Sequence, residues 1–279
     1  MNRYFVVPRT KLQAYVDRLW GWESTEQISL PPLLPGTGAE LMIHYGQPAQ
    51  LSSRQLGLLK LGAAYLLCAR RGPHFSQAMA GLGFISIRFR SGALRHFCPR
   101  PLSELGADAL PIGEIWGEEG NLLAEQVAQA PSREERVAII EHWLLACLAR
   151  YGKTQPAMEL ALHRLYYRHQ DVRIEALVEQ IGMSRRNFER IFREEVGITP
   201  KAFQRVARFN QTVRELLLRN SVDYLGVALD HGYYDQAHFI HEFQNYVGET
   251  PATFLESRMR SAHFYNAPIF TPDTVPVPR

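Results

Sequence analysis

The sequence predicts an α+β chain in two parts, strands followed by a few helices in the first half and helices alone beyond residue 156. Three observations carry this prediction. Apolar residues alternate in short runs early in the chain, they take on helical spacing from about Asn121, and in the last third seven residues recur at an offset of 51.

In the first half, LMIHYG (41–46), LGAAYLLCA (61–69) and GFISIRFR (83–90) read as strands divided by Gly-, Pro- and Ser-containing stretches. The third sets Ile85, Ile87 and Phe89 against Ser86, Arg88 and Arg90, the pattern of a half-buried strand. From Asn121, NLLAEQVAQA turns helical. Ser132 with Glu135 three residues on makes a capping box that opens the next helix, which RVAIIEHWLLACLARY carries to Gly152. Residues 152–155 form a short linker, and Pro156, with its φ already helical and no N–H to satisfy, starts the following helix. The expected division is 1–152, 156–258 and a Pro-containing tail at 261–279.

Composition narrows the function. The chain has 279 residues, 46% of them hydrophobic, enough for packed cores. No run of 18 apolar residues is present, and MNRYFVVPRTKLQ has neither the apolar stretch nor the cleavage site of a signal peptide, so a soluble, cytoplasmic chain with no membrane partner is expected. Cys68, Cys98 and Cys147 fall in no metal or redox spacing and read as ordinary thiols. His44, His74 and His96 likewise show no metal-ligand spacing, and no metal or cofactor is expected. Neither a nucleophile–base pair nor a phosphate-cradling glycine loop is visible, which argues against an enzyme and leaves no catalytic residue to name.

The repeat is the strongest signal. Phe188, Phe192, Val196, Gly197, Thr199, Pro200 and Phe203 return as Phe239, Phe243, Val247, Gly248, Thr250, Pro251 and Phe254. Phenylalanine and valine at i, i+4 and i+8 make one apolar stripe, glycine stops the helix, and Thr-Pro caps and starts the next. Before each stripe lies a short amphipathic helix and a glycine turn, IEALVEQIGMS (174–184) and LGVALDHGYYD (225–235), with Ser184 and Asp235 as N-caps. Each copy is therefore a helix-turn-helix unit. A pair of plain helical hairpins would share the pattern, and the outer surfaces distinguish the two readings.

On the helix Arg185–Val196, Phe188, Ile191 and Phe192 cover one side while Arg186, Arg190 and Arg193 share the other. Arginine is the usual bidentate partner of guanine O6 and N7, so this ridge suits a DNA major groove. Arg186 and Arg190 are assigned to bases, and Arg185, Asn187 and Arg193 to phosphates. Glu189 accepts from cytosine N4 or holds an arginine in place. The second helix offers no arginine. Gln236 suits adenine, Ala237 a thymine methyl, and His238 or His241 phosphate, a surface that promises weaker binding. KAFQRVARFNQTVRELLL (201–218), a helix of about 27 Å, separates the two by a distance comparable with one DNA turn, about 34 Å. Net charge is only +3, and residues 151–260 hold 15 Lys and Arg against 14 Asp and Glu, so a DNA surface must arise from segregated charge.

IGMSRRNFERIFREEVGITPKAFQRVARF and ALDHGYYDQAHFIHEFQNYVGETPATF resemble the DNA-binding domain of AraC/XylS-type transcription regulators, over residues 156–258. The resemblance implies a seven-helix domain that spans about two turns of DNA and commonly contacts RNA polymerase. It places base contacts at Arg186, Glu189 and Arg190 and at Gln236, Ala237, His238 and His241. Many members carry arginine or lysine where this chain has His241. LPGTGAELMIHYG, ISIRFRSGALRHF and LPIGEIWGEEG are similar, more loosely, to the N-terminal part of one AraC branch, which implies a small cupin-like β-barrel with trailing helices that senses a ligand or dimerises.

The function expected is a sequence-specific DNA-binding regulator, nucleoid-associated when bound, that activates or modulates transcription in response to a small-molecule effector. One alternative is a ligand-independent regulator whose N-terminal domain forms only a homodimer; another is an enzyme tethered to DNA. If Ile85, Ile87 and Phe89 line the barrel, a largely apolar ligand is expected, with Phe89, Glu40 and Tyr45 as contacts. The opposite orientation would turn Arg88 and Arg90 inward and call for an anion.

Overall fold

A computed structural model of the chain describes residues 2–30, 32–53, 57–70, 72–105, 109–219 and 223–258. The tail expected at 261–279 lies outside the described residues. Among these residues ten strands come first: β1 (Asn2–Val6), β2 (Val16–Ser24), β3 (Ile28–Ser29), β4 (Glu40–His44), β5 (Gln50–Ser53), β6 (Gly57–Leu58), β7 (Ala64–Leu67), β8 (His74–Ala78), β9 (Leu82–Phe89) and β10 (Ala109–Pro111). Among the described residues nine α-helices follow: α1 (Ile112–Gln129), α2 (Arg133–Tyr151), α3 (Pro156–Tyr167), α4 (Ile174–Gln180), α5 (Arg185–Val196), α6 (Pro200–Arg219), α7 (Tyr224–Asp230), α8 (Gln236–Val247) and α9 (Pro251–Arg258).

The expected barrel is corrected. The strands form two open sheets, one of order β1-β2-β9-β4-β7-β10 and one of order β3-β8-β5-β6, and among the described residues no ladder closes either sheet or joins the two. The edges explain why. β10 is three residues long, ends in Pro111 and leads directly into α1, while β3 and β6 have two residues each.

Both faces of the larger sheet are covered. Leu19, Leu41, Ile43, Leu66, Ile85, Ile87 and Phe89 pack with Ile115, Trp116, Leu123, Ile140 and Trp143 of α1 and α2. The opposite face presents Trp20, Trp22, Met42, Tyr65, Leu67 and Phe84, which pack with Leu51 of the smaller sheet in a cluster that runs on into the second helical repeat. So the alternation in β9 is real, yet its apolar side meets helices rather than lining a barrel, and the assignment of that side as a barrel interior falls with the barrel.

The helices begin as their caps dictate. Ser132 accepts from the Glu135 amide at 3.2 Å, and Pro156 opens α3. α1 starts well before Asn121 because its first turns, IGEIW, join the rest across Gly117, which sits at φ 60°. In the C-terminal region α4 and α5 form one helix-turn-helix unit and α7 and α8 the other, with α6 between. Gly197 and Gly248 end α5 and α8 at φ 84° and 88°, the left-handed conformation that glycine adopts without strain.

Candidate nucleic-acid interface

α5 is oriented by what it buries. Phe188 and Phe192 are fully enclosed, packed with Leu165, Leu177 and Phe203 of neighbouring helices, and Ser184 caps the helix by accepting from the Asn187 amide at 3.3 Å. The outer face then holds Arg185, Arg186, Asn187, Arg190 and Arg193, all exposed, with Glu189 half-buried. Two of these arginines are held by carboxylates. Arg185 donates to Glu189 at 2.9 Å and Glu175 at 2.6 Å, and Arg190 to both oxygens of Glu194 at 2.8 and 2.9 Å and to Asn187 at 3.0 Å. Arg186 and Arg193 have no ion pair among the described residues. Exposed pairs of this kind contribute little, so DNA can displace them.

α8 repeats the core without the charge. Phe239 and Phe243 are fully buried, and Asp235 caps the helix from the His238 amide at 2.7 Å. Gln236, Ala237, His238 and His241 are exposed on the outer face. The Tyr234 amide donates to His238 Nδ1 at 3.4 Å, which leaves Nε2–H of the neutral ring as an outward donor. His241 Nδ1 lies 3.1 Å from Asn245 Nδ2. Tyr234, 87% exposed at the leading end of α8, was not anticipated; the doubled tyrosine of HGYYD was the available signal, since Tyr233 alone serves the core.

α5 and α8 are each also held by a buried carboxylate. Glu195 of α5 accepts from Arg95 at 2.9 Å and Lys153 at 2.8 Å. Arg95, wholly buried in the N-terminal region, also donates to Gln155 at 2.8 Å and to Glu159. His96 Nδ1 accepts from the Lys153 amide at 3.2 Å, and its Nε2 faces Glu159 at 3.2 Å. Glu242 of α8 is instead bound to α6, by Arg208 at 2.8 and 2.9 Å and Arg205 at 3.2 Å, and to Tyr233 Oη at 2.9 Å.

A family model described as a helix-turn-helix domain matches residues 177–257, and another, described as a domain of unknown function (DUF6597), matches residues 4–111. An uncharacterized HTH-type transcriptional regulator of Haemophilus influenzae is 38% identical over 87 residues, 31% of this chain and 29% of that protein, so the chain spans less than a third of that relative's length. Residues 177–257 are a helix-turn-helix domain. The DUF6597 domain precedes it in the chain. Two crystal structures of ToxT from Vibrio cholerae are similar in shape: one, from O395, at 12% identity over 90% of this chain and 100% of that one with a TM-score of 0.49, the other at 13% identity over 85% and 96% with a TM-score of 0.47.

The residues expected to meet an effector are not brought to one place. Phe89 is buried against Phe97, ring centroids 5.2 Å apart, on the face covered by α1 and α2. Glu40 points to the other face, buried, with Arg88 at 3.3 Å. Tyr45 donates to Glu23 at 2.8 Å and lies under the Arg136 guanidinium at 3.7 Å. Burial pushes the Tyr45 phenol up, and its hydrogen bonds to Tyr4 and Glu23 add to this. His44, on the Glu40 face, is pushed down to about 4 by burial, against the Ala63 carbonyl that its Nδ1 meets at 3.0 Å. Among the described residues no three His, Cys, Asp or Glu gather as a metal site would require.

Proposed function

We propose that the whole chain is a sequence-specific transcription regulator in which α5 reads the major groove as principal contact and α8 reads an adjacent one. The observation that carries this is the exposed ridge of Arg186, Arg190 and Arg193 opposite Phe188 and Phe192, on the helix that the repeat marks as the second of its unit. In this reading Arg186 and Arg190 meet bases, with Glu189 beside them, and Arg185, Asn187 and Arg193 meet phosphates. Gln236 and Ala237 contact bases and His238 and His241 phosphates. The regulator divides into an N-terminal part, residues 1–152, and a DNA-binding part, residues 156–258. Support for a cytoplasmic, nucleoid-associated site of action comes from this DNA surface and from the lack, among the described residues, of a helix long and apolar enough to cross a membrane.

The partners follow from the same reading: an operator duplex, RNA polymerase when the chain activates, and a small-molecule effector for the N-terminal part, which also has the option of forming a homodimer. Of Glu40, Tyr45 and Phe89, Glu40 and Tyr45 retain polar groups that a ligand can use. Selection of duplexes from a randomised library tests the DNA reading. Enrichment of two short elements about 10 base pairs apart is expected, and a pool without any shared element overturns it. A metabolite that binds only the folded chain raises its melting temperature, and screening by that readout separates an effector sensor from a part that only dimerises.

A further inference from the structure

The N-terminal region does more than precede α5. Its short helical turn Leu102–Glu104 stands beside that helix, and the two enclose a groove lined by Ser103 on one side and Arg185, Arg186, Glu189, Arg190, Arg193 and Glu194 on the other. The turn is fixed there. Leu102 is buried, and its carbonyl oxygen would lie 3.4 Å from a Cβ placed on Gly197, the residue that ends α5. Arg95, bonded to Glu195 at 2.9 Å, locks the same two parts together from below. Ser103 itself is exposed, and four arginines against two glutamates leave the groove cationic.

B-DNA constrains what such a turn can touch. A helix with its side chains is about 10–12 Å across, and the major groove is about 12 Å wide. Once α5 occupies the groove, nothing beside it fits inside. A segment flanking α5 must lie over the sugar–phosphate backbone that borders the groove.

We infer that the N-terminal domain is part of the DNA interface: the Leu102–Glu104 turn lies on the backbone beside the α5 groove, and the Ser103 hydroxyl donates to a phosphodiester shared with Arg193. This rests on the reading of α5 as the groove-entering helix. Serine hydroxyls and arginines are ordinary phosphate donors, and such contacts set register without reading sequence. The two glutamates leave the groove's net charge positive, and Arg193, the proposed partner of Ser103, is paired with neither.

The test uses the full chain and a duplex that the wild type has selected from a randomised library, with affinities measured across a salt series. Ser103→Lys adds one phosphate contact and steepens the slope of log K against log salt by about 0.9. Ser103→Asp loosens the complex on the order of tenfold and flattens that slope. Neither alters the preferred bases, and because Ser103 is exposed both variants melt where the wild type does. Arg190→Ala is the control for the underlying reading. If it weakens binding while both Ser103 variants behave as wild type, the turn is off the DNA and only this inference falls. If Arg190→Ala also leaves binding unchanged, α5 is not the reader. A tighter complex from Ser103→Asp overturns the inference as well, since the turn would then be an obstruction rather than a contact.

Discussion

The two helix-turn-helix units share a core and differ in almost everything outside it. Phe188 and Phe192 in the first and Phe239 and Phe243 in the second are fully buried, and both reading helices are capped by a side chain and ended by a left-handed glycine. Outside, α5 carries four exposed arginines where α8 carries none. Their anchors diverge too: the buried Glu195 ties α5 to Arg95 of the N-terminal region, whereas the buried Glu242 ties α8 to Arg205 and Arg208 of the linking helix. Positions that determine the fold are thus repeated, and positions that face DNA or the rest of the chain are not. On the proposed reading, the first unit is the stronger reader and is tied to the N-terminal region, while the second extends the contact from α6.

The anchors give the largest expected effect. Arg95→Ala takes the common cation from the buried Glu195, which keeps only the partly exposed Lys153, and from the half-buried Glu159; loss of one partner of a buried pair costs up to about 3 to 5 kcal/mol. A melting curve of the full chain should drop accordingly. Arg205→Ala should be far milder, because Arg205 is 56% exposed and Arg208 stays on Glu242. Equal losses from the two variants would mean that the units are anchored alike.

The reading surfaces come next. Arg190→Ala should weaken specific binding by about 1 to 3 kcal/mol and relax the preference at one base pair. His241→Ala, at the matching place in α8, should cost less. Titration of both at one salt concentration checks this, and an Arg190→Ala protein that binds like the wild type removes α5 as the reader.

How much of this was legible in the sequence follows the same division. The repeat placed α5 and α8 to the residue, because a stripe of phenylalanines between a capping side chain and a glycine leaves little freedom. In the N-terminal half, β2 was missed. VDRLWGWES is covered on both faces, so the alternation that marks a half-buried strand is absent from it. β3 and β6, two residues each, carry no pattern at all. β9 was found, but alternation says only which side chains share a face, never what covers that face, and a barrel was expected where helices lie. The Arg95 cluster was invisible because its partners Gln155, Glu159 and Glu195 stand 60, 64 and 100 residues away.

The operator should register the asymmetry base by base. A substitution in the half-site under α5 is expected to cost about 1 to 3 kcal/mol, and one under α8 less, since the proposed reading assigns His238 and His241 to phosphates. A scan of single base-pair changes measures both halves together. Equal penalties would show that α8 reads as strongly as α5 without arginine, and would shift attention to Tyr234 and Gln236.

The smallest effect expected is one of pH, and it separates the contacts of the two units. Between them His169 stacks on His231, ring centroids 5.6 Å apart, with His169 Nδ1 against the Tyr166 carbonyl at 3.2 Å. Burial lowers the His169 pKa from 6.5, and neighbouring His231 and Arg208 add to this against the Tyr166 carbonyl and Asp171. In the unfolded chain the ring takes its proton at the ordinary value, so the stability gained by keeping it neutral is complete above 6.5 and drains as pH falls through the lower folded value. Glu159, in the anchor of α5, responds in a more acid window. Burial pushes its carboxyl up, but the His96 hydrogen bond and the Arg95 charge outweigh that and hold it below 4.5, so its contribution is complete above 4.5 and lost below. Mild acidification from pH 7 to pH 5 should therefore loosen the contact between the units while the anchor of α5 stays intact. Amide exchange should quicken first around His169 and His231, and only below 4.5 around Glu159 and Arg95. The reverse order would mean that the Arg95 cluster, not the buried His169, is the acid-sensitive joint of the DNA-binding region.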